Sequence, residues 1–449
     1  MSETPFSPQY YVVLEQLRQS FKYFEDKSIE EAKHALDALP TTYPDTHVVN
    51  EVKLDEKFLL KSKEYLDNGL KIYEDVLDDN WKCFDDGLCG EWVRFKNCKD
   101  TGNVILYFFG GGYYMGCSKQ ARSLTCELAE KAECPIFTFD YRLNPKYQFP
   151  AQLCDAVAAY LYLLNPGPDS EFKPIDPKKI IFAGSSAGGG LAMGTALFIR
   201  DVGLPSPAGV ILWSPWVDLT SSMPSFWDSE MDTTDHVPKL LCFPKIGPPC
   251  PMSDEYLERV KIVSEKIEQK KPNVVGHPSF STSPRIRLYC ANEALAIPYV
   301  SPMLAESLGS LPPILMQVGG GDRLRDAGVL LSFRASDPSK YRIPKYATTN
   351  FENSPFKEPT EVTLEVYDEA CHCIQFMPFE KIAQFSMQRA IDFIKYHTLD
   401  KNIKDIPKPN KAPLNAIAIN PNCEIRELDE KYKECLKWEN AGVLPDVKE

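Results

Sequence analysis

The sequence has no apolar run near the ~20 residues that a membrane-crossing helix needs. Its best candidate, Ala156–Leu164, is short and reads as a buried helix. Met1–Gln9 is polar, without the basic-then-apolar order of a secretory leader, so none is expected there. No Asn-x-Ser/Thr acceptor with a permitted context occurs, and Val447-Lys448-Glu449 is not a peroxisomal address. Positive charge is also short: 50 Lys and Arg face 63 Asp and Glu, a net of −13. Such a surface repels a phosphate backbone, so nucleic acid is not an expected partner. These absences predict a cytoplasmic chain with no integral membrane span. Peripheral contact with endoplasmic reticulum or lipid droplets stays open, as does the oligomeric state.

What is present suits a large core. The 449 residues are 43% hydrophobic and 25% charged. Fourteen cysteines are scattered, several (Cys134, Cys154, Cys290) in apolar contexts. Without a secretion signal they read as reduced, small core residues rather than disulfide partners.

The first ~75 residues carry helical periodicity over 10–23, 29–39 and 56–76. From about residue 90 the pattern becomes short apolar strands alternating with amphipathic helices. Strands are expected at 91–95, 104–108, 135–140, 179–183 and 209–213, with helices at 119–131, 150–164 and up to Asp201. That alternation implies a mostly parallel sheet covered on both faces. It breaks over 220–299, where a proline-rich stretch (His236–Pro251) and a charged helix (255–270) suggest an insertion above the sheet's carboxyl edge. Strands resume at 314–318 and 362–367, and a helix follows at 380–396. The predicted division is therefore a helical cap segment (1–85), a catalytic core (86–219 with 300–398), a cap insertion (220–299) and a C-terminal extension (399–449). A short helical piece is expected at 424–438.

Gly184-Ser185-Ser186-Ala187-Gly188 fits G-x-S-x-G. The pattern alone is common, but here it follows a β-branched strand and opens a helix of small residues. That is the context of a nucleophile elbow and of the α/β-hydrolase fold. Framing on Ser185 fails because its flanks are Ala183 and Ala187. A phosphate loop is the competing reading, but no Gly-Lys-Ser/Thr follows, and no G-x-G-x-x-G is present. Ser186 is the candidate nucleophile. An oxyanion needs backbone N–H donors: Ala187 supplies one, and the glycine turn Phe109-Gly110-Gly111-Gly112-Tyr113 after an earlier strand supplies others.

In this fold the triad runs Ser, Asp/Glu, His along the chain. Asp322 follows the strand Pro313–Val318 and three glycines, and is the candidate acid; Asp326 is a rival better placed to open a helix. Beyond it only His372 and His397 could be the base. His397 ends a helix, where a cation suits the dipole; His372 follows a strand, and is preferred. Cys371 and Cys373 flank His372, yet no second Cys/His pair at ligand spacing accompanies them, so no metal is expected. No cofactor is expected either.

Residues 90–395 resemble the hormone-sensitive-lipase-like (GDXG lipolytic) α/β hydrolases. The resemblance is carried by Phe109-Gly110-Gly111-Gly112, by Phe139-Asp140-Tyr141-Arg142-Leu143-Asn144-Pro145 with Phe149-Pro150-Ala151, by Gly184–Gly189, by Tyr299-Val300-Ser301-Pro302, by Asp322–Asp326 and by His372. It implies an α/β-hydrolase core with a helical cap, a triad of Ser186, Asp322 and His372, and oxyanion donors at Gly111, Gly112 and Ala187. The terminal extensions are similar to those of the fungal steryl acetyl hydrolase branch. The implied reaction is hydrolysis of carboxylic esters, with short-acyl esters of apolar alcohols such as sterols as substrate. Tyr113, Tyr114 and Ser185 are the expected substrate contacts. Two departures stand out: the family's glycine loop begins with His where Phe109 stands, and its elbow reads Gly-Asp-Ser where Gly184-Ser185-Ser186 stands. Plant gibberellin receptors resemble the same family but lack the triad His, so a binding protein on a hydrolase scaffold is the rival class. An amidase or lactonase would use the same triad.

Overall fold

The computed structural model describes residues 4–24, 27, 29–38, 41–98, 101–168, 170–238, 254–271, 287–341, 354–398 and 413–437. The elements run in the order α1 (Pro8–Phe24), α2 (Ile29–Asp37), β1 (His47–Leu54), α3 (Glu56–Gly69), β2 (Leu88–Phe95), β3 (Val104–Phe108), α4 (Arg122–Ala132), β4 (Ile136–Phe139), α5 (Ala151–Leu164), β5 (Ile180–Ser185), α6 (Ser186–Asp201) and β6 (Gly209–Trp213). Then come α7 (Pro224–Trp227), α8 (Met231–Thr234), α9 (Asp254–Lys270), β7 (Ile314–Gly319), α10 (Arg325–Ser336), β8 (Val362–Tyr367), α11 (Lys381–Thr398), β9 (Leu414–Ile419), β10 (Ile425–Glu427) and α12 (Glu430–Lys433).

Among the described residues, ten strands form one sheet in the order β1-β2-β4-β3-β5-β6-β7-β8-β9-β10. Strands β4, β3 and β5–β9 are parallel to one another, and β2 and β10 run antiparallel to their neighbours. Every residue of β3, β5, β6 and β7 is buried, as expected of central strands covered on both faces. Helices α3, α5 and α6 pack side by side; α11 packs against α4 and against β5, β6 and β7. No helix among the described residues is long and apolar enough to cross a membrane.

Two regions differ from the sequence reading. The N-terminal segment is not wholly helical, because β1 pairs along its full length with β2. Its alternation is weak, with most positions at least partly exposed, which is why the pattern did not read as a strand. The expected helix 56–76 ends at Gly69 and gives way to a 3₁₀ segment, Lys71–Val76. The C-terminal extension contributes β9 to the sheet, parallel to β8, and its expected helical piece is split into β10 and the short α12. Most of His236–Pro251, residues 272–286 of the insertion and the prolines at 407 and 409 lie outside the described residues.

Candidate active site

Strand β5 runs into α6 with no connecting residue, and the reversal falls on Ser186, whose φ is +53°. A non-glycine residue in the left-handed region costs of order 1 kcal/mol or more, and such strain gathers at functional turns. Close backbone packing holds it there. A Cβ on Gly188 would stand 2.2 Å from the carbonyl oxygens of both Phe108 and Phe109, so only glycine lets α6 approach the end of β3. The Ser186 carbonyl is fixed by Trp216, whose N–H donates to it at 2.8 Å.

The loop after β3 lies against this turn: a Cβ built on Gly110 would be 3.2 Å from the Ser186 Cβ. Gly111 has φ +123°, and a side chain there would meet the Met115 carbonyl oxygen at 2.1 Å. The loop's first residue, Phe109, is buried; its ring stacks on Tyr141 at 4.2 Å and 11°. The Tyr141 hydroxyl donates to the Phe109 carbonyl at 2.8 Å, and Asn144 donates its backbone and side-chain N–H to the Tyr113 carbonyl at 2.9 and 3.1 Å. The aromatic stack and these bonds hold the start of the glycine loop.

Across the site, His372 Nδ1 donates to Asp322, with the two carboxylate oxygens at 3.2 and 3.3 Å. That bond puts the proton on Nδ1 and leaves Nε2 as the basic nitrogen. Asp322 is fully buried; its carboxylate also accepts from the Leu324 N–H at 2.8 Å and from the Ser214 hydroxyl. Burial alone would raise its pKa, but the His372 charge and these hydrogen bonds hold it below the usual carboxylate range. Burial likewise works against charge on His372, and the neighbouring Cys373 and Asp322 outweigh it, holding the imidazole above its ordinary value. Asp326, the rival acid, instead accepts from the Ser225 N–H and pairs with Arg325. His397 packs on Phe393 at the end of α11.

Ser186, His372 and Gly110–Gly112 line one cavity of about 460 Å³. Most of its other lining is apolar: Trp216, Leu324 and Met377 from the core, with Val13, Leu17 and Phe21 of α1 and Leu36 of α2; Gln120 and His236 also reach it. Tyr114 lines it too. Tyr113 does not; it is buried and stacks on Tyr289 at 3.9 Å. Ser185 borders the cavity but is fully buried, and its hydroxyl hydrogen-bonds Tyr107 at 3.1 Å.

Sequence reasoning missed three groups. Asp235, just beyond α8, accepts from the backbone N–H groups of His372 and Arg323 at 3.1 and 2.9 Å. Tyr10 of α1 accepts from the Cys371 N–H at 2.9 Å. Tyr141 was quoted only as part of a motif. No local pattern marks the first two, since their partners lie 137 and 361 residues away. Among the described residues no group of three or more His, Cys, Asp or Glu could hold a metal ion.

A strand–elbow–helix serine, a glycine loop pressed against it and a buried His–Asp pair define an α/β hydrolase in fold. The family model for the alpha/beta hydrolase fold matches residues 105–241. The chain is also similar to acetyl-hydrolases and esterases. The chain is 39% identical over 134 residues to an acetyl-hydrolase of Streptomyces hygroscopicus, covering 30% of this chain and 42% of that one. It is 30% identical over 229 residues to esterase LipI of Mycobacterium tuberculosis, covering 50% of this chain and 57% of that one. The chain thus spans about half the length of the curated relatives it matches. An esterase structure from the bacterial hormone-sensitive lipase family superposes with a TM-score of 0.55 at 25% identity, covering 88% of this chain and 99% of that one.

Proposed function

We propose that the chain is a serine carboxylic-ester hydrolase. Ser186 is the nucleophile, His372 the general base, Asp322 the group that orients the imidazole, and the amides of Gly111, Gly112 and Ala187 the oxyanion donors. The observation that carries this reading is that Ser186, the glycine loop and the Asp322-held His372 all open onto one largely apolar cavity. His372 Nε2 takes the Ser186 proton as Oγ adds to the ester carbonyl. The oxyanion collapses, the alkoxide leaves with the proton from His372, and the acyl group stays on Ser186. A water, deprotonated by the same nitrogen, releases the acid. Removing one oxyanion donor costs about 10²–10³ in rate.

The substrate class is short-acyl esters of apolar alcohols such as sterols. The cavity supports this: its walls offer apolar side chains from α1, α2 and the core, and few polar groups beyond the reacting ones. A fluorophosphonate probe, with the adduct mapped by mass spectrometry, tests the reaction class. The expected result is labelling of Ser186, lost in Ser186→Ala together with p-nitrophenyl acetate turnover. A folded protein with neither adduct nor turnover would refute it and support the binding-protein reading. An acyl series from acetate to decanoate, and steryl acetates against phenyl acetate, tests the substrate.

A further inference from the structure

We propose that Asp235 is a positioning residue that locks the loop carrying the base to the loop carrying the acid, with the Tyr10 hydroxyl as a second anchor on the base loop. The inference rests on the hydrolase reading above.

His372 and Asp322 sit on separate loops, after β8 and β7. Their mutual bond is a contact between two side chains, and those chains can only be as well registered as the loops beneath them. Asp235 spans the loops at backbone level. One carboxylate oxygen accepts from the His372 N–H at 3.1 Å and from the His236 N–H at 2.8 Å; the other accepts from the Arg323 N–H at 2.9 Å. The amides held are those of the base itself and of the residue after the acid. The clamp is reciprocal. The buried Arg323 guanidinium donates back to the carbonyls of Val237, Phe226 and Asp228 at 2.7, 3.0 and 3.3 Å, and pairs with Asp232. The segment bearing Asp235 is thereby tied to the acid loop from both directions. Helix α1 adds the outer grip: Arg18 Nε donates to the Asp235 carbonyl at 2.9 Å, and Tyr10 takes the Cys371 amide.

Two opposed acceptors are what the geometry requires, and a carboxylate supplies them. An asparagine has one oxygen, so its NH₂ would face an amide N–H. The groups around Asp235 are Asp322 and Arg323 on the acid loop, Cys371 and His372 on the base loop, Tyr10 and Arg18 on α1, and His236 beside it. Burial and the nearby Asp322 push its carboxyl up to about 6. Protonation there removes one acceptor and opens the clamp.

The test uses the full chain. Active-site titration with a fluorophosphonate counts competent Ser186, so that kcat is expressed per site and folding losses divide out. Asp235→Asn is expected to lower kcat per site by about 10²-fold, the scale of a small misplacement of reacting groups, with KM for p-nitrophenyl acetate within about twofold. The acid limb of kcat/KM is expected to be steeper in the wild type, where Asp235 as well as His372 takes up a proton, than in Asp235→Asn, where it becomes a single-proton limb. Tyr10→Phe keeps the ring and is expected to lose about fivefold in kcat, the scale of one hydrogen bond. Wild-type kcat per site with an unchanged limb in Asp235→Asn would overturn the proposal, as would a loss confined to the number of titratable sites. Should Asp235→Asn yield no titratable site, wild-type kcat in Tyr10→Phe would overturn it. Failure of the wild type itself to label or turn over would refute the hydrolase reading instead.

Discussion

Tyr141→Phe isolates how the glycine loop is held at Phe109. The substitution deletes one oxygen from a ring that is 2% exposed, so it neither opens a route to solvent nor disturbs the stack on Phe109 at 4.2 Å. What goes is the 2.8 Å bond to the Phe109 carbonyl, at the point where β3 becomes the loop. A buried acceptor that loses its donor costs about 1–3 kcal/mol, which should appear as a lower midpoint in urea unfolding with unchanged slope. The loop is also free to shift. The amides of Gly111 and Gly112 lie two and three residues on, and complete loss of a donor is worth about 10²–10³; a partial displacement should lower kcat/KM for p-nitrophenyl acetate by about tenfold. The fall should be in kcat, because the oxyanion exists only after attack. Tyr141→Phe with unchanged stability and kcat would show that the bond carries neither role, and that the stack with Asn144 alone fixes the loop.

Gly188→Ala places a methyl 2.2 Å from two carbonyl oxygens, backbone atoms that cannot yield alone, so α6 must shift away from β3. Near-complete loss of Ser186 labelling is expected; a labelled, active variant would show that the elbow tolerates the shift. Leu17→Trp in α1 fills part of the cavity and should depress decanoate ester turnover well beyond acetate turnover; equal effects would mean that α1 does not border the acyl or alcohol path. Burial pulls His397 down to about 4. Glu361 lies 3.9 Å away and is 45% exposed, too distant and too hydrated to offset that burial. The folded state therefore binds fewer protons than the unfolded chain between pH 4 and 6.5, and stability falls as pH drops through that window. The slope from this one group is about 1.4 kcal/mol per pH unit, and His397→Gln should remove it from urea titrations at pH 4.5–6.5.

Much of the core was legible because its signals are local. β3 and β6 fall on the residues that apolar runs marked, since a strand buried on both faces reads as a continuous apolar run. Ser186 was legible because an elbow needs small residues at fixed offsets, and those offsets are a sequence pattern. β1 was not. It lies at the sheet edge with Asn50, Glu51 and Lys53 exposed, and it takes its strand conformation from β2, whose partner residues lie more than thirty positions away. β9 failed for the same reason: four of its six positions are only half-buried, and pairing with β8 decides its state.

The site divides along the same line. The candidate catalytic residues could be found because the proposed reaction restricts both their type and their order along the chain. Residues that hold them face no such restriction. Any acceptor in the right place could take the amides of His372 and Arg323, and Asp235 is an aspartate in a stretch, Met231-Asp232-Thr233-Thr234-Asp235, where nothing separates it from Asp232. Yet the two have opposite surroundings. Asp232 is half-exposed and pairs with a guanidinium, whereas Asp235 has a fully buried side chain and accepts three backbone amides. A buried carboxylate is costly unless donors compensate it. Its amides offset only part of that cost beside a second buried carboxylate, Asp322, so the Asp235 carboxyl stands above its ordinary value. The same division holds at Phe109. Here the start of the glycine loop is held by an aromatic stack and one tyrosine hydroxyl.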